Sequence, residues 1–151
     1  MSESPISESE AQDLIDLPKL PCRDTIVAPR LRSGKMFEFE SVATHDEFTI
    51  DVYRGPAFVL KATHHMRTRR TIGLVRVEVN TAGHENPDGT KVGPHHIHRY
   101  REGFGLAWAK SLSTVQGPYF KDPSDIQAVF HEFLQFCNVV DLPVIQDSLS
   151  L

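Results

Sequence analysis

The chain has 151 residues, of which 40% are hydrophobic and 24% charged, with a formal net charge of −4. That length suits a single domain able to bury a core without disulfide or metal staples, and the composition excludes wholesale disorder. No apolar run approaches the roughly 18 residues of a membrane span, and no basic, apolar N-terminal segment points to an oxidising compartment. The expectation is one soluble, cytoplasmic domain over 1–151, with 1–6 a disordered acidic tip and with Cys22 and Cys137 as reduced thiols.

Charge is unevenly spread along the chain. The first 16 residues carry Glu3, Glu8, Glu10, Asp13 and Asp16 without any Lys or Arg, whereas Lys61, Arg67, Arg69, Arg70 and Arg76 make a basic stretch. Ser7 with Glu10 three residues on forms a capping box, and Ile6 and Ala11 sit at staple positions, so a short helix is predicted from Glu8 to Leu17. Pro18 and Pro21 stop it. Alternation then predicts strands over Phe37 to Val42, Phe48 to Tyr53, Ala57 to His65 and Ile72 to Val79, separated by turns too short for parallel crossovers. Asn80 to Pro94 reads as a loop built around Asn86-Pro87-Asp88-Gly89, and the chain returns as a further strand, His96 to Tyr100. Last, Asp122 caps and Pro123 opens a helix to about Cys137, its apolar face formed by Ile126, Val129, Phe130, Phe133, Leu134 and Cys137. The predicted class is α+β: an antiparallel meander of about four to five strands with the C-terminal amphipathic helix and the short N-terminal helix packed on it.

Alternate residues of a strand share a face. With Ile50, Val52, Phe58, Leu60, Ala62, Val75, Val77, Val79 and Ile97 turned to the core, the opposite face gathers Asp51, Tyr53, Lys61, His65, Arg76, Glu78, His96, His98 and Tyr100. Two imidazoles in an H-x-H pair on one strand face are spaced to chelate one ion. His96, His98 and Glu78 are the candidate ligands for zinc or a similar divalent metal. Equally, one imidazole can act as base and the other as acid near neutral pH, with Arg76 stabilising developing phosphorane charge and Tyr100 positioning or stacking. That arrangement suits metal-free cleavage of RNA through its own 2′-hydroxyl, with Lys61, His65 and Arg70 as substrate or partner contacts. A purely structural role for the histidines is the third alternative. His64, His84, His95 and His131 are given no role, and Cys137 reads as a small core residue.

His96-Ile97-His98 followed by Glu102 resembles the first metal motif of cupins, but the second cupin motif is missing and too few strands are present for a double-stranded barrel. A broader resemblance, carried by Asn86-Pro87-Asp88-Gly89 and by His96-Ile97-His98-Arg99-Tyr100-Arg101-Glu102-Gly103, is to a family of small uncharacterised bacterial and phage proteins. It implies a bacterial cytoplasmic or mobile-element setting and no particular mechanism. No P-loop, dinucleotide fingerprint, paired C-x-x-C or nucleophile elbow occurs. Two classes of function stay open: a small His-dependent enzyme acting on RNA or other phosphodiesters, toxin- or defence-related and needing no cofactor, and a non-catalytic inhibitor or interaction protein that engages a partner with a basic surface.

Overall fold

The computed structural model describes residues 5–56 and 59–147. In chain order the elements are α1 (Glu8–Asp16), β1 (Lys19–Pro21), β2 (Thr25–Val27), β3 (Ser33–Ser41), β4 (Glu47–Arg54), β5 (Ala62–Thr68) and β6 (Ile72–Val79). There follow β7 (His84–Glu85), β8 (Lys91–Val92), β9 (His96–Arg99), β10 (Ala109–Ser111), a 3-10 turn (Leu112–Thr114), α2 (Ile126–Phe136) and β11 (Val144–Gln146). The class is α+β, as the pattern predicts. The main sheet, however, has seven strands in the order β1-β3-β4-β5-β6-β9-β10, more than the four or five expected. All its pairings are antiparallel, and β3 to β6 form the predicted meander. The added strands, β1 and β10, lie at the two edges and are three residues long, too short to show a period. Two small ladders complete the fold: parallel β2-β11 and the antiparallel β7-β8 hairpin.

Both helices pack on one face of the sheet. Ser7 caps α1 by accepting from the Glu10 amide at 3.0 Å, and the Tyr100 hydroxyl donates to the Ile6 carbonyl at 2.7 Å. Ile6 is therefore buried rather than part of a disordered tip; residues 1–4 of that tip lie outside the described residues. α2 begins three residues later than expected, because Asp125, not Asp122, accepts from the Ala128 amide at 3.1 Å. Asp122 instead folds a local turn, accepting from the Ser124 amide and hydroxyl at 3.2 and 2.6 Å. α2 ends in a Schellman arrangement, with Asn138 at φ 59° and the Val139 amide donating back to the Leu134 carbonyl at 3.0 Å. Its Val129, Phe130, Phe133 and Leu134 join Phe37, Phe39, Phe48, Ile50, Val52, Met66, Val75, Val77 and the α1 residues Ala11, Leu14 and Ile15 in one core.

Between the helices the core holds a charge. Lys19 is fully buried, and its ammonium donates to the carbonyls of Ile15, Leu17 and Cys137 at 2.7, 2.9 and 2.8 Å. Those carbonyls belong to the ends of α1 and α2, where backbone acceptors lack partners and a cation complements the dipoles. Burial lowers its pKa to about 8, only partly offset by Cys137 and Asp16. Cys137 is a free, buried thiol whose pKa burial raises to about 12, and Cys22 is free and exposed.

The expected strand from Ala57 begins at Ala62 instead. Leu60 adopts φ 53° and is exposed, and the Gly55 amide donates to the Lys61 carbonyl at 2.8 Å, so the chain makes a loop where core residues were expected. Phe58 lies outside the described residues. His64 takes a core position in β5 and packs against Phe130 and Phe133, with ring centroids 5.8 and 5.5 Å away.

Candidate functional site

Register assembles the polar face row by row. Asp51 pairs with His65, His65 with Arg76, and Arg76 with His98; in the next row Tyr53 pairs with Thr63, Thr63 with Glu78, and Glu78 with His96. Residues opposite one another in antiparallel strands share a face, so Asp51, Tyr53, His65, Arg76, Glu78, His96 and His98, seven of the nine residues expected there, lie on the side of the sheet away from the helices. Exposure falls along each row. On β4 and β5 Asp51 binds Arg67 at 2.8 Å and lies 3.7 Å from a partly exposed His65, whereas on β9 His96 and His98 are 0% and 4% exposed.

What buries them is the return of the 80–95 segment over the sheet. Asn86-Pro87-Asp88-Gly89 makes the turn of the β7-β8 hairpin: the Asn86 amide donates to the Thr90 carbonyl at 2.8 Å, and Gly89 supplies the φ of 89° that the turn needs. Asn86 then clamps the hairpin to β10, donating to the Ala109 carbonyl at 3.0 Å and accepting from the Ala109 amide at 2.8 Å. This seats His84 against the pair from β9, with ring centroids 4.7 Å from His98 and 5.9 Å from His96; His96 and His98 are 5.0 Å apart.

Each of the three imidazoles has one nitrogen tied to a backbone carbonyl. His96 Nδ1 bonds the Gly93 carbonyl at 2.9 Å, His98 Nδ1 the Leu106 carbonyl at 2.7 Å and His84 Nε2 the Ala107 carbonyl at 2.7 Å. A carbonyl only accepts, so each of these nitrogens carries the hydrogen. His96 Nε2 then meets Glu78 Oε2 at 2.7 Å, and Glu78 Oε1 lies 3.2 Å from Arg76 Nε. One ligand atom each from Glu78, His96 and His98 falls within 4.8 Å of the others.

The protonation states follow from these partners. Burial pulls the His96 pKa down, but the bonds to Glu78 and the Gly93 carbonyl outweigh it and leave the value raised. Glu78 is held below the usual carboxylate range, first by its bond to His96 despite partial burial. His98 goes the other way, to about 4, chiefly because burial disfavours a second proton. Burial, then Arg76, lower His65.

Other expected site residues stand apart. Tyr100 faces the core and spends its hydroxyl on Ile6, because β9 ends at Arg99 and a register shift lies between Met66 and Arg67 on β5, next to β6. Lys61 is exposed in the turn before β5, and Arg70 is exposed in the β5-β6 turn at φ 66°, its carbonyl accepting from Arg67 at 2.7 Å. His84 was not picked out from sequence; the Asn-Pro-Asp-Gly turn was the available signal, since a tight hairpin there folds the residues before it back over the strand that follows. Gly73 also matters: a methyl group there would come within 2.7 Å of Leu106 and 2.8 Å of His65.

Among the described residues no helix is long and apolar enough to cross a membrane. No curated protein and no solved structure matches the chain. A family model does match, over residues 6–139, from α1 through both loop and histidine strand to the end of α2; the chain belongs to DUF6978, a family of unknown function.

Proposed function

We propose that the protein binds a divalent metal ion, zinc or a similar borderline ion, through Glu78, His96 and His98. The observation that carries this reading is the hydrogen-bond pattern behind the ligands. On both His96 and His98 Nδ1–H is held by a backbone carbonyl, which leaves Nε2 as the ligating atom, and that of His96 already meets Glu78. That outer bond is how proteins fix the tautomer and aim of a metal-ligating histidine. Ligand atoms of a tetrahedral zinc site stand about 3.3 Å apart, as bonds of roughly 2.0–2.1 Å require, so a set already within 4.8 Å closes by small side-chain rotations.

Burial argues for a structural role. A centre covered by the 80–95 segment joins β6 and β9 beneath the β7-β8 hairpin, and the ion then holds that hairpin on the sheet. Acid-base cleavage of RNA by His96 and His98 is favoured less by this geometry. Both rings are covered, His96 has both nitrogens engaged, and Tyr100, the intended positioning group, faces the core.

Protein purified without chelator is expected to carry about one equivalent of zinc or a similar ion by elemental analysis. Stripping it should lower the melting temperature, and zinc should restore it. His98→Ala should fold yet lose the stoichiometric ion. Metal-free protein whose melting temperature does not respond to added zinc, nickel or cobalt would overturn the reading.

A further inference from the structure

The helix side of the last two strands is not fully covered. Between α1, the end of α2 and the segment after β10, a groove of about 950 Å³ opens, at the upper end of what a drug-sized ligand occupies. On a protein of net charge −4 its lining is basic, with Arg99, Arg101 and Lys110 all exposed. No carboxylate lies within ion-pair distance of any of the three among the described residues. Glu8 is the acidic residue of the lining, and its Oε1 accepts from the Glu102 amide at 3.2 Å.

The cations are also shaped. The Arg99 guanidinium lies over the Phe136 ring at 5.1 Å and that of Arg101 over Trp108 at 4.4 Å. A guanidinium backed on one face by an aromatic ring is a flat, held platform with its other face and its N–H edge left for a ligand. Trp108, whose ring also lines the groove, is the aromatic surface behind Arg101.

From this groove we infer a second binding site, for single-stranded nucleic acid. A nucleotide supplies both things the lining lacks: a planar base to stack on a guanidinium and a phosphate to take its donors and those of Lys110. An acidic peptide uses the charge but offers nothing to the planes. A duplex hides the base faces that the platforms would take. The groove lies on the opposite side of the sheet from Glu78, His96 and His98, so this inference stands whether or not those residues hold a metal.

Trp108 is the single tryptophan of the chain, so its fluorescence reports on this groove alone. Fluorescein-labelled single-stranded RNA and DNA, a duplex of the same sequence and polyglutamate are titrated into the full chain at low salt, reading anisotropy and Trp108 emission together. The single strands should bind with quenching of Trp108, and more tightly than the duplex or polyglutamate. Arg99→Ala and Arg101→Ala should each weaken binding about tenfold or more, and Lys110→Ala should reduce the slope of log affinity against log salt by about one. Arg101→Lys, which keeps the charge and loses the plane, should fall between wild type and Arg101→Ala, and all variants should keep the wild-type melting temperature within a few degrees. Absence of single-strand binding, equal binding of polyglutamate, or Arg101→Lys binding as tightly as wild type would each overturn the inference.

Discussion

Replacing His64 by Leu should make the protein more stable, and more so in acid than at neutral pH. His64 is fully buried against Phe130 and Phe133, and neither ring nitrogen has a hydrogen-bond partner. Burial lowers its pKa from 6.5 to about 4, with the Val77 carbonyl giving a small opposing pull. Between those values the unfolded chain takes up a proton that the folded one refuses, so stability rises with pH through this window and is lost as pH falls through it. At pH 5 the linkage relation puts the loss near 2 kcal/mol relative to pH 7.5, where it vanishes. An apolar side chain of similar size removes that term and also the orphaned polar atoms, which cost about 1–3 kcal/mol when buried. Urea unfolding of both proteins at pH 7.5 and pH 5 should give a stability difference that favours His64→Leu and widens by about 2 kcal/mol at the lower pH. A difference that is the same at both pH values would show that His64 is not held neutral in the core, and the reasoning from its burial would fail.

Phe130→Ala should cost about 3–5 kcal/mol, because it empties an aromatic site bounded by Phe37 and His64, with ring centroids 5.7 and 5.8 Å away; thermal melts with an unchanged midpoint would refute the packing of α2. In metal-free protein Glu78→Gln should destabilise most between pH 4.5 and 6.5. The raised pKa of His96 contributes stability that is full below 6.5 and lost as pH rises through its folded value, while the lowered pKa of Glu78 contributes stability that is full above 4.5 and lost as pH falls through its folded value. A pH-independent effect in the same melts would show that the two groups are not coupled.

Much of the architecture is legible in the sequence because it rests on period. Val75, Val77 and Val79 alternate with Arg76 and Glu78, and that alternation alone puts Glu78 beside His96 once the strands pair. Local chemistry was legible as well: Ser7 and Glu10 mark the start of α1, and Asn86 to Gly89 mark a tight turn. Features that depend on distant segments were not. Nothing near Lys19 in sequence reveals that the Cys137 carbonyl, 118 residues away, sits against its ammonium. His64 breaks the pattern in another way, as a titratable residue at an inward-facing position of a half-buried strand. Tyr100 shows the weakness of period itself, because it lies just past the end of β9 and beside a register shift at the start of β6, and it faces the core where strict alternation predicts the polar face.

The hydrogen bonds of His96 allow the two readings of the centre to be separated by counting protons. In the metal-free protein both partners of the ring accept, the Gly93 carbonyl at 2.9 Å and Glu78 at 2.7 Å, so the imidazole is held as a cation. A cation has no lone pair with which to act as a base, and the bonds to Glu78 and the Gly93 carbonyl that raise its pKa extend the range over which it stays protonated. On the metal reading a divalent ion would take the place of the Nε2 proton while Nδ1–H stays on the Gly93 carbonyl, leaving Glu78 beside a positive charge as before. Metal binding must therefore release a proton and weaken as pH falls, with His98, neutral down to about pH 4, ready to ligate throughout. The arrangement that makes His96 a poor base is thus the one that the proposed metal site would use to exchange a proton for a metal.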